Sequence, residues 1–208
     1  MNKQKQLWEN LSRENSKYYI NSDFGKSITD EQFKVSGISD YNRLIKSDEL
    51  IDNYDSILDI GCGTGRLTAS MAYYFDRVIG IDISGEMIKQ AKERLYDFNN
   101  IELFETNGYT IPLSDKSVSN VFSYLVFQHM KTEGMVESNF SEAYRVLKSG
   151  GLFKVRLRTD KVERMDKWWA GVSYTPKQAF NLAEFFDFEV IKSEAVKDYG
   201  LWLWLRKF

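Results

Sequence analysis

One segment, residues 57–68, constrains the fold more than any other part of this 208-residue chain. It reads Ile-Leu-Asp-Ile-Gly-Cys-Gly-Thr-Gly-Arg-Leu-Thr, an apolar strand pattern that runs into glycine at alternate positions, Gly61, Gly63 and Gly65. Glycine has no Cβ, so the backbone can turn sharply there and approach a bound ligand closely. The helical pattern that follows offers unpaired N–H groups and the positive end of a helix dipole. The segment therefore predicts a strand, a ligand-binding loop and a helix.

A second apolar strand pattern, Val78-Ile79-Gly80-Ile81, ends in Asp82, about 20 residues beyond Gly61. An acidic residue at this distance holds the ribose diol in doubly wound nucleotide sites. A carboxylate suits a diol because it offers two acceptor oxygens. The two patterns together predict a site for an adenosine-containing cofactor.

The glycine spacing separates the candidate cofactors. The dinucleotide fingerprint requires glycine at the sixth place of the loop, where this chain has Arg66. The loop that cradles nucleoside triphosphates ends in Gly-Lys-Ser/Thr, and the loop at residues 61–66 does not. Both of these nucleotide classes are therefore disfavoured at this site.

The pattern Asp-x-Gly-x-Gly-x-Gly after a strand, with an acid ending the next strand, resembles the S-adenosylmethionine site of class I methyltransferases. Three further segments fall in the family's order, Ile83 to Met87, Asn107-Gly108 to Ile111-Pro112, and Arg145 to Gly151. The resemblance covers residues 50–208 and is specific between 57 and 155. It implies an α/β fold: a seven-stranded, mostly parallel Rossmann-like sheet, order 3-2-1-4-5-7-6, with helices on both faces. It also implies S-adenosylmethionine as cofactor, with S-adenosylhomocysteine as product.

Strand and helix patterns alternate from residue 56 onward, which is typical of a parallel α/β sheet. The predicted strands cover 56–60, 77–82, 101–106, 118–124 and 151–158. The predicted helices cover 65–75, 84–98, 133–148 with its stop at Gly150-Gly151, and Thr175-Pro176 to about Phe186. Two closing strand patterns, 188–191 and 201–205, predict an antiparallel pair, because the polar loop between them is too short for a helical crossover.

Composition favours one soluble domain over residues 1–208, with 43% hydrophobic and 28% charged residues. No apolar run approaches the roughly 20 residues that span a bilayer, and the N-terminus lacks the apolar core of a signal peptide. The single cysteine permits no intrachain disulfide, so we expect a cytoplasmic location. A net charge of −2 offers no general attraction to nucleic acid.

The segment 1–45 precedes the core of residues 50–208 and carries scattered aromatic residues among polar ones, including Trp8, Tyr19 and Phe33. We interpret this segment as helices that lie over the carboxyl edge of the sheet. Open parallel sheets bind their ligands at that edge.

Six candidate cofactor residues follow or end predicted strands, namely Asp59, Gly61, Gly63, Asp82, Asn107 and Tyr124. By resemblance, the glycine loop approaches the methionine part and the ribose, Asp82 accepts hydrogen bonds from the ribose hydroxyls, and Ile83 contacts the adenine face. Asp59 either contacts the ligand or binds backbone N–H groups of the loop. The family usually has Asp where Asn107 stands. Asn keeps a carbonyl acceptor for the adenine amino group, and Asn107-Gly108 also fits a turn.

His129, the only histidine, follows the fourth predicted strand, which by resemblance ends beside the sulfonium. Methyl transfer from a sulfonium is an in-line displacement that depends on alignment, and a hydroxyl acceptor must also lose its proton. Histidine is the commonest general base near neutral pH, so His129 is the predicted base. The alternative is a histidine that forms local hydrogen bonds and shapes its loop.

Three absences narrow the acceptor class. The Asn/Asp-Pro-Pro-Tyr motif of amino methylation and the Pro-Cys motif of cytosine methylation do not occur. No acidic cluster suggests a catechol-type magnesium site, so we expect no metal.

The fifth predicted strand alternates cations and apolar residues, which places Lys154, Arg156 and Arg158 on one face. Parallel strands covered on both faces are normally apolar throughout, so this face is expected to be uncovered or to line a cavity. Arg158 either holds a carboxylate or phosphate of the acceptor or pairs with internal acids. Further aromatic and basic residues wall a pocket for a sugar or other small acceptor, or belong to the core: Arg164, Trp168, Trp169, Tyr174 and, from the N-terminal segment, Tyr19.

The sequence therefore predicts S-adenosylmethionine-dependent methyl transfer to a small or glycan-like acceptor, at oxygen rather than nitrogen. Methylation of a protein or RNA is the second enzyme hypothesis. A cofactor-binding protein without catalysis is the third possibility. The acceptor's identity and the oligomeric state are left open.

Overall fold

The computed structural model of the chain describes residues 3–160, 167–196 and 200–208. Seven strands within these residues form one sheet in the order β3-β2-β1-β4-β5-β7-β6. Their bounds are β1 (Ser56–Ile60), β2 (Arg77–Asp82), β3 (Ile101–Glu105), β4 (Val118–Ser123), β5 (Leu147–Arg158), β6 (Phe188–Val196) and β7 (Gly200–Lys207). β7 runs antiparallel to both β5 and β6. The predicted sheet order and the antiparallel closing pair are confirmed.

The α-helices are α1 (Lys3–Ile20), α2 (Asp30–Tyr41), α3 (Thr68–Met71), α4 (Gly85–Arg94), α5 (Glu133–Val146) and α6 (Pro176–Phe185). In the part of the chain that the structure describes, no helix is long and apolar enough to cross a membrane. The chain forms two compact units, Met1–Asn107 and Gly108–Phe208, which are described in turn. A single domain over residues 1–208 remains a prediction.

In the first unit, strands β1, β2 and β3 are parallel neighbours. Every residue of β1 is buried, and Ile57 lies opposite Val78 of β2. Burial on both faces accounts for the mostly apolar character of β1 and β2. Asp82, the last residue of β2, lies opposite Glu105, the last residue of β3. The carboxyl ends of the strands in this unit therefore lie at one edge.

The N-terminal segment is helical, in agreement with its predicted character. α1 has a kink at Asn15 (φ −167°, ψ 83°), and α2 begins at a capping box formed by Thr29 and Gln32. α2 continues into a wider helical turn, Asn42–Lys46. A Gly-Lys-Ser triplet at residues 25–27 lies between α1 and α2 and follows no strand, so it does not form a nucleotide-phosphate loop.

The predicted helices 65–75 and 84–98 are shorter in the structure, as α3 and α4. Gly65 has a φ of +78°, which is outside the helical region, so regular helix begins only after it. At the end of α4, Leu95 leaves the helical conformation (φ −107°, ψ 15°) and is buried. Its side chain packs against Gly65. A tertiary contact therefore limits both helices.

In the second unit, the predicted helix 133–148 ends earlier, and its predicted stop at Gly150-Gly151 is wrong. α5 ends at Val146, and Leu147 takes an extended conformation (φ −67°, ψ 137°) that starts β5. The Lys207 ammonium donates to the main-chain oxygens of Tyr144 (2.5 Å) and Leu147 (2.9 Å). These contacts satisfy carbonyl groups that a helix end leaves without intrahelical partners, so the helix can stop before the glycines.

The rest of the second unit agrees with the predictions. Thr175 caps α6 in a capping box with Gln178, and Pro176 occupies the first helical position. The core contains an aromatic cluster in which Phe140 of α5 contacts Phe153 of β5 (ring centroids 5.4 Å apart) and Phe188 of β6 (6.3 Å).

Candidate functional site

The glycine loop after β1 has the geometry that its sequence predicts. Gly61, Gly63 and Gly65 have φ values of +76°, +55° and +78°, the left-handed region that favours glycine. A Cβ on Gly63 would lie 2.8 Å from Cδ1 of Ile20, the last residue of α1. The loop therefore excludes side chains at these positions, and α1 packs directly on it.

Asp82 links this loop to the turn between β2 and α4. Its Oδ2 accepts a hydrogen bond from Gly63 N (3.0 Å), and its Oδ1 accepts one from Ser84 N (2.9 Å). Burial raises the pKa of Asp82 to about 6; the backbone hydrogen bonds lower this pKa, and the nearby Glu9 carboxylate raises it. The fixed carboxylate suits the predicted ribose contact, and the half-buried Ile83 follows it in the turn.

Asp59 has a local partner. Its Oδ2 accepts a hydrogen bond from Thr68 Oγ1 (2.8 Å) in the first residue of α3, and its side chain is buried. Burial raises the pKa of Asp59 to about 6, while the Thr68 hydrogen bond and the charge of Arg66 lower it. This contact ties the loop to the following helix through a side-chain hydroxyl, not through the loop N–H groups that the sequence analysis considered, and the ligand contact of Asp59 stays a prediction.

Arg66, the residue that departs from the dinucleotide fingerprint, connects the loop to α2. It is buried and forms an ion pair with Asp40 (2.7 Å) and a hydrogen bond with Ser36 Oγ (3.2 Å). A Cβ on Gly37 would lie only 2.4 Å from Arg66 O, so α2 approaches the loop backbone closely. The sequence analysis did not assign this residue to the site, since its partners in α2 lie more than 25 positions earlier in the chain and give no local signal of the contact.

Asn107 and Gly108 fall on opposite sides of the division between the two units. Asn107 is exposed, after Thr106, whose N–H donates to Asp82 O (2.9 Å). Gly108 has a φ of +83°, and its oxygen accepts a hydrogen bond from Asn139 Nδ2 (2.8 Å). The positive φ fits the predicted turn role, and the adenine contact of Asn107 remains a prediction.

In the second unit, Tyr124 follows β4 and is half-buried. Its ring stacks on Trp202 of β7, with centroids 5.6 Å apart and planes at 14°. The Arg156 guanidinium lies 5.9 Å from the Tyr124 ring centroid. The ring is therefore held on one side by the closing strands of the sheet.

His129 is buried and has defined partners at both ring nitrogens. Nδ1 lies 3.0 Å from Trp169 O, and because a carbonyl only accepts, Nδ1 carries the proton. Nε2 is then the acceptor nitrogen, 3.1 Å from Gln128 Nε2. Burial, with a smaller effect of the positive charges of Arg158 and Lys131, lowers the pKa of His129 to about 4, although the hydrogen bond to Trp169 O raises it. The imidazole is therefore neutral at neutral pH, with its basic nitrogen at Nε2.

Arg158 lies beside the same residues. Nε donates to Asp160 Oδ1 (2.5 Å), and Nη1 donates to Trp169 O (2.8 Å) and Gln128 O (3.3 Å). Arg158 thus pairs with an acid two residues along the chain whose side chain is 32% exposed, and its role toward the acceptor stays a prediction. His129 and Arg158 thus share one acceptor, the main-chain oxygen of Trp169.

The cationic face of β5 is covered by aromatic rings, so the first of the two alternatives, an uncovered face, is wrong, and the cavity alternative stays a prediction. Lys154, Arg156 and Arg158 are only 4–7% exposed. The Lys154 ammonium lies 4.6 Å from the Trp204 ring centroid and 5.2 Å from that of Trp202. Electron-rich ring faces stabilise cations that are withdrawn from water, which alternation along the strand alone does not predict.

The predicted acceptor-pocket residues are distributed over both units. Trp168 stacks on His129 (5.7 Å), and Trp169 is 39% exposed with the Arg158 guanidinium 5.3 Å from its ring centroid. Tyr174 is buried and belongs to the core of the second unit, whereas Tyr19 lies in the first unit, in contact with Tyr18. Arg164 lies outside the described residues. Within the described ranges, there is no group of three or more His, Cys, Asp or Glu residues that could hold a metal ion.

Comparisons with known proteins agree with this geometry. A family model described as a methyltransferase domain matches residues 58–155. A demethylmenaquinone methyltransferase from Tropheryma whipplei is 35% identical over 97 residues, which is 47% of this chain and 39% of that protein. A malonyl-[acyl-carrier protein] O-methyltransferase from Xylella fastidiosa is 34% identical over 98 residues, 46% of this chain and 32% of that protein.

The crystal structure of a SAM-dependent methyltransferase from Aquifex aeolicus superposes with a TM-score of 0.65 over 88% of this chain and 100% of that one. At 17% identity this likeness shows a shared fold. The chain spans less than half the length of the curated relatives it matches. The matched segment contains the glycine loop, Asp82, Tyr124 and His129, and ends before Arg158.

Proposed function

We propose that this chain, which carries a class I S-adenosylmethionine-dependent methyltransferase domain, transfers a methyl group from S-adenosylmethionine to a small-molecule acceptor. One observation carries the proposal: the carboxylate of Asp82 is bonded to the backbone of the glycine loop, with Gly63 N 3.0 Å from Oδ2. A loop without Cβ atoms and an acid with two acceptor oxygens are what an adenosine with a free ribose diol requires.

The residues of the first unit would hold the cofactor. Gly61 and Gly63 bring the backbone against its methionine and ribose parts, Asp82 accepts hydrogen bonds from the ribose hydroxyls, and Ile83 packs on the adenine. When bound, S-adenosylmethionine supplies an electrophilic methyl group on a sulfonium. The chain's main contribution to the reaction is then to align the acceptor for in-line attack.

For the acceptor we propose a small or glycan-like molecule that is methylated at oxygen. The names of two relatives support parts of this proposal, since one is named for demethylmenaquinone, a small molecule, and the other, named for malonyl-[acyl-carrier protein], is an O-methyltransferase. We further propose that Trp168, Trp169 and Arg158 contact the acceptor. In the same proposal, the acceptor hydroxyl replaces the Gln128 amide at His129 Nε2, and this nitrogen then takes the hydroxyl proton. A cytoplasmic location and a small-molecule rather than nucleic-acid partner belong to the same proposal and rest on composition.

Calorimetry tests the cofactor assignment. Wild-type protein should bind S-adenosylmethionine and S-adenosylhomocysteine, and should bind NAD and ATP much more weakly. Asp82→Ala should lose about 1.5–3 kcal/mol of binding free energy, the scale of hydrogen bonds to a charged group. Asp97→Ala, which removes an exposed acid of the same unit, is the matched control and should bind as the wild type does. Equal affinity for NAD, or full affinity in Asp82→Ala, would contradict the proposal.

A screen for S-adenosylhomocysteine release over quinones, sugars and carboxylic acids tests the acceptor class. Turnover with one of these classes is the expected result. Turnover only with a protein or RNA would favour the second enzyme hypothesis. Binding of the cofactor without turnover on any of them would favour a cofactor-binding protein.

A further inference from the structure

One face of α1 lies on the turn between β2 and α4. Lys5, Glu9 and Ser12 are spaced three or four residues apart and therefore share this face, and Ser16 follows directly after the kink at Asn15. Lys5 forms an ion pair with Glu105 at the end of β3, Ser12 Oγ lies 3.4 Å from Ser84 Oγ, and Ser16 Oγ donates to Gln90 Oε1 (2.7 Å). All of these contacts are within the first unit.

Glu9 makes the central contact of this face. Its Oε1 accepts a hydrogen bond from Gly85 N (2.7 Å), and its Oε2 accepts one from Glu86 N (3.3 Å). Ser84 accepts hydrogen bonds from the next two N–H groups of α4. Its Oγ accepts from Met87 N, and its main-chain oxygen accepts from Ile88 N. A helix leaves its first four N–H groups without intrahelical partners, and here a residue of α1 takes two of them.

The same turn holds Asp82. Ser84 N donates to Asp82 Oδ1 (2.9 Å), so Glu9 binds the two residues that directly follow the donor to Asp82. A Cβ on Gly85 would lie 2.5 Å from Oε2 at the flexible end of Glu105, and 3.4 Å from Glu9 Oε1, which is an ordinary contact distance. A side chain more than 70 residues away in the sequence is therefore bonded to the turn that holds the Asp82 carboxylate.

We propose that Glu9 is a positioning residue for the cofactor: its carboxylate fixes the turn that aims Asp82 at the ribose hydroxyls. The proposal rests on the proposed function, which supplies the ribose. It extends the cofactor site from the glycine loop and Asp82 to the N-terminal helix.

Electrostatics provides a second readout. The Glu9 charge raises the pKa of Asp82, although burial contributes more to the value of about 6. The other charged groups near Asp82 are Asp59 of β1 and Glu105 of β3, with Lys5 paired to Glu105 and Arg13 3.6 Å from Glu9. Protonated Asp82 cannot accept from both hydroxyls, so cofactor affinity should fall as the pH drops through the pKa of Asp82.

Calorimetric titration with S-adenosylhomocysteine between pH 5 and 8.5 tests the proposal on wild type, Glu9→Gln and Glu9→Ala. At pH 8, Glu9→Ala should bind about tenfold more weakly, which is the effect of losing roughly one hydrogen bond. Glu9→Gln keeps an acceptor oxygen and should lose less. Because Glu9→Gln removes a negative charge that raises the pKa of Asp82, the affinity of this variant should fall at a lower pH than that of the wild type. Glu14→Gln removes an exposed carboxylate of α1 that pairs with Lys26, and should behave as wild type.

Circular dichroism and thermal melts check the fold of each variant. A lower melting temperature with unchanged affinity and an unchanged pH profile would reduce Glu9 to a structural helix cap and overturn the proposal. If Glu9→Ala does not fold, Glu9→Gln decides the question through the shift in its pH profile. Wild-type protein that fails to bind S-adenosylhomocysteine would overturn the proposed function as well. If wild-type protein binds S-adenosylhomocysteine and the Glu9 variants have the same affinity and pH profile, this proposal alone is overturned.

Discussion

The main-chain oxygen of Trp169 accepts two hydrogen bonds, from His129 Nδ1 at 3.0 Å and from Arg158 Nη1 at 2.8 Å. The first bond fixes the tautomer of His129 and leaves Nε2 as its only basic atom. The same bonds hold Trp169, which is partly exposed, in place. One residue therefore has two possible roles, proton acceptor and support for an aromatic side chain, and substitution can separate them.

His129→Asn and His129→Ala distinguish these roles once an acceptor is known. Asn keeps an N–H donor for Trp169 O but has no basic nitrogen, whereas Ala loses both functions. If Nε2 takes the acceptor's proton, both variants should lower kcat by about 10²–10⁴-fold while S-adenosylhomocysteine still binds. Near-normal kcat in His129→Asn, with a changed tryptophan fluorescence only in His129→Ala, would assign His129 to support of Trp169.

The pH profile of the wild-type rate adds an independent check. Because the pKa of His129 is lowered to about 4, a rate limited by its protonation should stay level down to about pH 5 and fall below that. The rate is measured at saturating S-adenosylmethionine, so that the pH dependence of the cofactor affinity, which Asp82 governs, does not contribute to the profile. A fall in kcat centred near 6.5 would contradict the buried neutral imidazole.

At the scale of elements, the C-terminal end of α5 depends on β7. The buried Lys207 ammonium donates to Tyr144 O and Leu147 O, and Lys207 lies 4.5 Å from the Tyr144 ring centroid. Lys207→Met keeps an unbranched apolar chain but leaves buried carbonyl groups without their donor. We expect a loss of about 1–3 kcal/mol in the free energy of unfolding, measured by urea denaturation. Lys192→Met, at a half-exposed lysine of β6, should change it little.

The N-terminal helices should respond to the cofactor. Ile20 of α1 packs on Gly63, and Arg66 of the loop is bonded to α2 through Asp40. Binding at the loop should therefore slow amide hydrogen exchange over residues 8–33, because elements that cover sites open locally at low free-energy cost. Exchange in α6 serves as the internal reference. Unchanged exchange over residues 8–33 at saturation would leave these helices as passive packing elements.

At the scale of the whole molecule, three buried groups give opposite contributions to stability between about pH 4 and pH 6.5. Asp59 and Asp82 have folded-state pKa values of about 6, above the unfolded value of 3.8, so the stability they contribute is lost as the pH rises through 6. His129 has a folded-state pKa of about 4, below 6.5, so its contribution is lost as the pH falls through that interval. These opposite pH dependences should therefore partly cancel in the free energy of unfolding of the wild type over this window.

Single variants should reveal how each group changes the free energy of unfolding with pH. For Asp59, the difference between 3.8 and about 6 corresponds to roughly 3 kcal/mol. The unfolding free energy of Asp59→Asn, relative to wild type, should therefore rise by up to this amount between pH 4 and pH 7. The unfolding free energy of His129→Asn, relative to wild type, should instead fall as the pH rises over this interval. Denaturant titrations at several pH values measure both, and a pH-independent difference for Asp59→Asn would contradict the raised pKa of the buried acid.

The sequence by itself determined the features that depend on local pattern. Alternating apolar strands and helices, glycines at positions that require positive φ, and the capping box at Thr175 are encoded within a few neighbouring residues. The strand order followed from the resemblance that these local motifs carry. The positions of the predicted cofactor residues of the first unit, from Asp59 to Ile83, belong to the same class.

Only the tertiary structure decided which distant groups meet. The end of α5 at Val146 depends on Lys207, the tautomer of His129 on Trp169 O, and the covering of Lys154 on Trp204. Glu9 has no local signal that connects it to Gly85 and Asp82. Such contacts join residues tens of positions apart and form only when packing brings their elements together, so no window of the sequence contains both partners.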